Sequence, residues 1–165
     1  MKKLSQTRTV KFGVESLAYT LTATVCFLML TASILAPYCL AHDLPRLGAI
    51  LKFSLSLMCH QYPTRCLDMF GIKTALCARC FSFYAAIMIL SVAKVVFKRS
   101  FKSISLKLLI VMVLPLVIDG TTQLIGLRSS TNTIRVITGG LAGFGTGVAI
   151  LSYVATRFST DDYIC

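Results

Sequence analysis

The chain has 165 residues, of which 56% are hydrophobic and only 14% are charged, and its mean hydropathy is +0.78. Soluble domains are about half apolar and about a quarter charged, so this composition excludes a disordered chain and argues against an ordinary soluble enzyme. The net charge of +11 predicts contact with a lipid bilayer rather than with nucleic acid, because excess Lys and Arg in membrane proteins lies in loops beside anionic headgroups.

Four apolar stretches are long enough to cross a bilayer, which requires about 20 residues each. They cover residues 14–36, 75–97, 104–127 and 134–155. The first follows a basic segment, but its apolar core exceeds the roughly 7–15 residues of a signal peptide, so we interpret it as an uncleaved span. The sequence therefore predicts an all-α integral membrane protein, a four-helix bundle that forms a single membrane domain over residues 1–165.

Residues 47–58 form a further apolar stretch between the first two predicted spans. At about 12 residues it is too short to cross a bilayer, and it contains Lys52. These features predict a short helix that lies in the membrane interface or re-enters the bilayer from one side.

The basic residues also predict an orientation. An even number of spans places both termini and the loop after the second span on one side, which carries the larger share of Lys and Arg, including Lys2, Lys98 and Arg99. Basic loops stay in the cytoplasm, so we expect both termini there. The loop from His42 to Thr74 then lies on the extracytoplasmic side.

Four cysteines lie in this outer loop or just after it. They occur in the motifs Cys59-His60-Gln61-Tyr62-Pro63-Thr64-Arg65-Cys66 and Cys77-Ala78-Arg79-Cys80. A Cys-x-x-Cys motif places two sulfurs one helical turn apart, close enough to share a metal ion or to form a disulfide. At the start of a helix, the backbone dipole and the charge of Arg79 favour the thiolate. The pattern indicates thiol chemistry.

Zinc or another thiolate-bound metal fits two ligand sets in this region. Cys59, His60, Cys77 and Cys80 supply three thiolates and one imidazole, which is a common combination in zinc sites. Cys59 and His60 are adjacent, so their side chains diverge unless the backbone turns tightly. Cys66 in place of His60 gives an equally good set of four, and the sequence leaves this choice open.

Asp119 is the only acidic residue well inside a predicted span. An isolated carboxylate in lipid is costly unless it is paired or protonated. Gln123 lies one turn later on the same helix face. Arg79 and Arg135 lie near the starts of the second and fourth spans, on the same side of the membrane. We expect these side chains to converge beneath the cysteine loop, as an ion pair or as part of a site. The candidate substrate-binding or ion-pairing residues are Arg65, Arg79, Asp119, Gln123 and Arg135.

Glycines repeat at a four-residue spacing in the last predicted span, at Gly139, Gly143 and Gly147. Such a face lets another helix approach closely. We interpret it first as packing within the bundle. A homodimer through this face, or a groove for a lipid-like substrate or quinone, is the alternative.

The motifs also resemble those of a known family. They are Cys-His-Gln-Tyr-Pro-Thr-Arg at 59–65, Cys-Ala-Arg-Cys at 77–80, Asp-Gly-Thr-Thr-Gln at 119–123 and Arg-Ser-Ser-Thr-Asn-Thr-Ile-Arg at 128–135. In this order, over roughly residues 57–147, the chain resembles a family of small prokaryotic multi-pass membrane proteins of unknown function. The resemblance implies a prokaryotic cytoplasmic membrane but no activity, and Cys66 stands where the family would have serine. The characteristic positions that it implies are Cys59, His60, Gln61, Arg65, Cys77, Arg79, Cys80, Asp119, Gln123 and Arg135.

Three functions fit these features, and they leave open whether the protein is an enzyme. The first, which we favour, is metal binding by the Cys/His set. The second is a quinone-linked thiol–disulfide oxidoreductase in which Cys77 and Cys80 form the cofactor-proximal pair and Cys59 and Cys66 the shuttle pair. The third is a small transporter or lipid-handling protein that uses Asp119 as a switch. We find no nucleophile–base pair or phosphate-binding loop that would indicate a hydrolase.

Overall fold

The computed structural model describes residues 2–69, 71–97, 104–127 and 129–159. Its elements in chain order are α1 (Lys2–Ala41), α2 (Pro45–Ser56), a 3-10 turn (Pro63–Arg65), β1 (Cys66–Met69), β2 (Ile72–Cys77), α3 (Ala78–Phe97), α4 (Leu106–Leu124) and α5 (Asn132–Ser159). The predicted all-α membrane bundle is confirmed, with a small hairpin in addition. Lys98 and Arg99, on which the predicted orientation partly depends, lie outside the described residues, as does Arg128 of the 128–135 motif.

Four helices in the described part of the chain are long and apolar enough to cross a membrane. They are Glu15–Ala41, Ala78–Phe97, Leu106–Leu124 and Asn132–Thr156. Large apolar side chains on these helices face outward, and Phe27, Ile89 and Val111 are each more than half exposed. A soluble monomer rarely presents so much apolar surface. Lipid is therefore the environment in which this surface is stable.

Helix α1 continues beyond the predicted end of the first span. It passes through Pro37 and ends at Ala41, although a proline inside a helix removes one backbone hydrogen bond. Helix α2 packs along this last part of α1 so closely that a Cβ at Gly48 would lie 2.8 Å from the Ala36 carbonyl oxygen. This packing supports the helix on the far side of the proline.

The other spans differ from their predicted bounds by a few residues. Helix α4 covers Leu106–Leu124 where 104–127 was expected, and Gly126 follows it with a φ of 75°. A glycine in this left-handed conformation commonly ends a helix. Helix α5 begins at Asn132, earlier than the expected 134. The short apolar stretch predicted at 47–58 is helix α2.

The antiparallel hairpin of β1 and β2 was not predicted. Cys66 lies opposite Cys77 in it, and Asp68 lies opposite Lys73. Residues 72–77 were expected to lie before or within the second span, yet they form a strand because they pair with β1. Ala75 is buried with residues of α1 and α2 in one apolar cluster, so the hairpin is fastened to the helices.

Two groups of contacts define the ends of the bundle. At the end that carries the hairpin, which we call the hairpin end, the Asn132 side chain donates to the Cys66 carbonyl at 3.1 Å. At the opposite end, the Tyr19 hydroxyl of α1 donates to the Leu151 carbonyl of α5 at 3.4 Å. Lys94 of α3 lies over the Tyr19 ring, 5.4 Å from its centroid. Asp119, near the end of α4, is hydrogen-bonded to Arg79 at the start of α3, so the four long helices alternate in direction along the chain.

The glycine face of α5 packs against α3 of the same chain. A Cβ at Gly143 would overlap the Phe83 carbonyl oxygen, and a Cβ at Gly147 would lie 2.8 Å from Leu90 Cδ1. Gly139 is also buried against α3. This is the packing within the bundle that the spacing predicted, and it buries these three glycines within one chain.

Candidate metal centre

Three cysteine sulfurs converge at the hairpin end. The Sγ atoms of Cys59, Cys77 and Cys80 all lie within 4.8 Å of one another. Cys59 follows α2, Cys77 ends β2 and Cys80 lies in the first turn of α3, so three elements bring the sulfurs together. A tetrahedral zinc ion with Zn–S bonds of about 2.3 Å holds its sulfurs about 3.8 Å apart. The side chains need to move inward by about 1 Å or less to reach that geometry.

Backbone N–H groups are directed at the sulfur of Cys59. The Cys77 N–H donates to Cys59 Sγ at 3.3 Å, and the backbone of Gln61 also hydrogen-bonds this sulfur. Gln61 has a φ of 52°, a left-handed conformation that turns the chain sharply. Its side-chain amide donates to the Lys52 carbonyl at 2.7 Å, which holds the turn in place. Hydrogen bonds of this kind favour the thiolate, the form of cysteine that binds metals.

The thiol pKa values of Cys59 and Cys77 are shifted in opposite directions. Hydrogen bonds from the side chains of Cys77 and then Cys80 hold the pKa of Cys59 well below its usual range. The same hydrogen bond with Cys59 raises the pKa of Cys77. These hydrogen bonds therefore favour the thiolate at Cys59 over the thiolate at Cys77. Binding of a metal ion would release the remaining protons.

Cys66 lies outside this group of sulfurs. It is 2% exposed, and its thiol donates to the Tyr62 carbonyl at 3.2 Å. Burial, followed by the nearby charges of Cys59 and Cys77, raises the pKa of the Cys66 thiol to about 11. A thiol with this pKa stays protonated at neutral pH and is a poor metal ligand. Of the two ligand sets, the geometry does not favour the one that contains Cys66.

We therefore expect Cys66→Ser to leave the amount of bound metal unchanged. The serine hydroxyl can replace the thiol as the donor to the Tyr62 carbonyl, and the three converging sulfurs are untouched. The metal-to-protein ratio of the purified variant, measured beside the wild type by plasma mass spectrometry, checks this prediction. Loss of metal would place Cys66 in the ligand set.

His60 is exposed and does not belong to the sulfur group. Its ring lies against Tyr62, with 6.2 Å between the two ring centroids. The side chains of His60 and Cys59 thus diverge, as their adjacency suggests. His60 stays a prediction as the fourth ligand, because its side chain must turn away from Tyr62 to reach the same ion.

Arg79 and Asp119 form a buried ion pair between α3 and α4. Arg79 Nε donates to Asp119 Oδ2 at 2.9 Å, and Nη2 donates to the same oxygen and, at 2.9 Å, to Gln123 Oε1. The two paired side chains are only 15% and 7% exposed. Arg79 stands between Cys77 and Cys80 in the sequence, so the pair holds the start of α3 and with it two of the three sulfurs.

Arg135 does not join this ion pair. Its Nη1 donates to Asn132 Oδ1 at 2.7 Å and to the Thr64 carbonyl at 3.2 Å. The residue is 5% exposed, and its Nε has no hydrogen-bond partner among the described residues. Arg135 thereby connects the start of α5 to the loop that precedes the hairpin.

A cavity of about 390 Å³ opens beside the sulfurs. Its wall carries the three cysteines, His60, three arginines and an apolar portion that includes Phe83, Tyr84 and Leu116. This apolar wall could not be predicted from the sequence, because aromatic residues in a membrane helix usually face lipid or a packed neighbour. The arginines of the wall are Arg65, Arg79 and Arg135.

The site lies within a recognised family domain. The family model described as "Predicted membrane protein (DUF2085)" matches residues 59–149, which is more than half of the chain and includes all three converging cysteines. The chain belongs to this family of membrane proteins. The resemblance inferred from the motifs is thereby confirmed at the level of the family.

Two relatives of the DUF2085 chain come from methanogenic archaea. An uncharacterized protein of Methanocaldococcus jannaschii is 46% identical over 91 residues, which cover 54% of this chain and 58% of the relative. An uncharacterized protein of Methanothermobacter thermautotrophicus is 32% identical over 91 residues, which cover 55% of this chain and 82% of the relative. The chain thus matches little more than half the length of the first relative. No solved structure matches it significantly.

Proposed function

We propose that this membrane protein binds a thiolate-preferring metal ion, with zinc as the first candidate, through Cys59, Cys77 and Cys80. The observation that carries the proposal is the convergence of three sulfurs from three separate elements to within 4.8 Å. Packing alone does not require this arrangement, since Cys26 and Cys39 are buried without joining such a group. Three thiolates around one ion are a common basis for a zinc site.

The fourth coordination position would be filled from the cavity side of the cluster. His60 lines the cavity and is our proposed fourth ligand, with water as the other occupant. Zinc sites with four protein ligands are structural, whereas sites with three protein ligands and a water keep an open position for chemistry. The effect of His60→Ala on metal affinity decides between these two arrangements.

We place the hairpin end, with the metal centre, on the extracytoplasmic side of a prokaryotic cytoplasmic membrane. Both termini would then be cytoplasmic, as the excess of basic residues on their side predicts. Helix α2 would lie in the outer interface, where Ile50 and Phe53, 63% and 71% exposed, can insert among the lipids. Labelling of single cysteines placed at the two ends of the bundle with a membrane-impermeant maleimide tests this topology.

Elemental analysis of the protein, purified in dodecyl maltoside without chelators, tests the metal proposal. We expect about one zinc or similar ion per chain in the wild type and its loss in Cys80→Ser. Cys39→Ser is the control, because Cys39 is a buried helix cysteine that lies outside the sulfur group. A cobalt-substituted wild type should show thiolate-to-metal charge-transfer bands, which keeps the test valid even when a variant does not fold.

Absence of stoichiometric metal from the wild type at neutral pH contradicts the proposal, as does equal loss of metal in Cys39→Ser and Cys80→Ser. The redox alternative requires two separate cysteine pairs. It receives less support, because Cys66 is hydrogen-bonded to the Tyr62 backbone while the other sulfurs form one group of three. The transport alternative is also weaker, since Asp119 is held by Arg79 and Gln123 is bonded to the same guanidinium.

A further inference from the structure

The cavity beside the sulfurs is strongly basic. Three arginines line it, and none of the described lining residues is a carboxylate. One of these arginines, Arg79, is neutralised by Asp119 behind the wall. Arg65 and Arg135 have no ion pair among the described residues.

Of these two arginines, Arg135 is the more deeply buried. It is 5% exposed, and the Asn132 amide and the Thr64 carbonyl that accept its hydrogen bonds are both neutral. Its Nε is buried without a partner among the described residues. A buried charge without an opposite charge is costly, especially close to the lipid.

Arg65 is half-buried and contributes the second charge. Its guanidinium carbon lies over the Tyr62 ring, 5.0 Å from the ring centroid. A cation over an aromatic ring is attracted to it only weakly, and this contact leaves the N–H donors of the guanidinium available to another group. Tyr62 therefore holds Arg65 at the cavity without neutralising it.

Neither of these two arginines is in an ion pair within the described part of the chain. The salt bridges found there join Lys73 to Asp68 and Arg79 to Asp119. Arg65 and Arg135 therefore leave positive charge at the cavity wall that an anion could neutralise.

We propose that this cavity binds an anionic ligand, a carboxylate or phosphate group that carries an apolar portion. The anion would be held by Arg135 and Arg65, since guanidinium groups bind both kinds of oxyanion through paired hydrogen bonds. Its apolar portion would lie against Phe83, Tyr84 and Leu116. The volume of about 390 Å³ is within the range of small-molecule sites, about 300–1,000 Å³. The site goes beyond the proposed metal function and does not depend on it.

Such a group can come from a lipid headgroup or from a soluble molecule, and thermal unfolding in dodecyl maltoside distinguishes the two sources. One series adds inorganic phosphate at constant ionic strength, with chloride as the reference. The other adds phosphatidylglycerol to the micelles, with phosphatidylcholine as the reference. We expect one of the two probes to raise the Tm of the wild type in a saturable way.

The arginine variants provide the decisive comparison. Arg65→Gln should weaken the apparent affinity for the active probe about tenfold, the usual effect of losing a charged hydrogen bond. Arg46→Gln is the matched control, because Arg46 is an exposed arginine of α2 that does not line the cavity. Arg135→Gln should abolish the response. Arg65→Gln suffices when that variant does not fold, since Arg65 is only half-buried and its guanidinium lies over the Tyr62 ring.

A response to phosphate identifies a soluble anion as the source, and a response to phosphatidylglycerol alone identifies a lipid. No response to either probe overturns the inference, as does an equal response in the wild type and Arg65→Gln. The metal content of every sample is measured in parallel. A saturable response in protein that contains no metal would support the anion site and contradict the metal proposal, so the two can fail separately.

Discussion

Asp119→Asn is expected to lower the free energy of unfolding of the bundle by about 3 kcal/mol, because it leaves the buried guanidinium of Arg79 without its counter-charge. The two side chains are only 15% and 7% exposed, so water screens little of their interaction. Titration of the detergent-solubilised protein with SDS, followed by circular dichroism, measures this free energy. We expect the same variant to bind metal more weakly, because Arg79 lies between two of the three cysteines.

The hairpin supplies a matched control for this ion pair. Asp68 and Lys73 also form a pair, at 2.9 Å, but their side chains are 61% and 49% exposed. Asp68→Asn should therefore cost less than about 1 kcal/mol. The double variant with Arg79→Gln and Asp119→Asn should be less destabilised than the two single effects added together. Strict additivity would show that the pair does not contribute to stability.

Gly143→Ala is expected to destabilise the bundle by about 2 kcal/mol or more, because the new Cβ would overlap the backbone carbonyl of Phe83. The α5 backbone fixes the position of the Cβ, and the carbonyl belongs to the α3 backbone. A change of side-chain rotamer therefore cannot relieve the overlap, and α3 and α5 must separate. The same SDS titration measures the effect. Separation of the helices should also lower metal binding, since α3 carries Cys80.

Gly140 provides the control for this substitution. It is adjacent to the packed face, and the nearest atom to a Cβ there is Ser82 Cβ at 4.0 Å. Gly140→Ala should therefore be tolerated, and the better helix propensity of alanine can stabilise α5 by up to about 1 kcal/mol. Equal losses at the two glycines would contradict the close packing of α5 against α3.

The ion pair and the glycine face act on the same part of the molecule. Arg79 fastens the first turn of α3 to α4, while Gly139 lets α5 approach the backbone at that same residue. The first turn of α3 is thus held from two sides directly beneath the sulfurs. A metal site benefits from this rigidity, because ligands that are already in place lose less conformational freedom on binding.

The four membrane helices could be predicted from the sequence because their length and apolar composition are local properties. Lipid leaves the backbone of a spanning segment few choices other than a helix. The hairpin could not be predicted in this way. Residues 75–77 were predicted to begin a membrane helix, and they form a strand with residues 72–74 only because they pair with β1, which contains the exposed Asp68.

The candidate site could likewise be predicted from the sequence only in part. The motifs predicted that Cys59, Cys77 and Cys80 are chemically important, but not whether His60 or Cys66 completes their group. That choice depends on the left-handed turn at Gln61 and on the direction in which each side chain leaves the backbone. These are properties of the folded chain that residue spacing does not contain.

The apolar excess and the positive charge of the chain by themselves determined that it is a membrane protein with four long helices, and its motifs marked the residues that carry polar chemistry. Only the tertiary structure decided that Arg79 is neutralised by Asp119 while Arg135 has only neutral hydrogen-bond partners. The physical reason is that charge compensation depends on distances of a few ångströms between helices. Those distances are set when α3, α4 and α5 pack together. The same packing places Arg65, Arg79 and Arg135 around one cavity beside the three sulfurs.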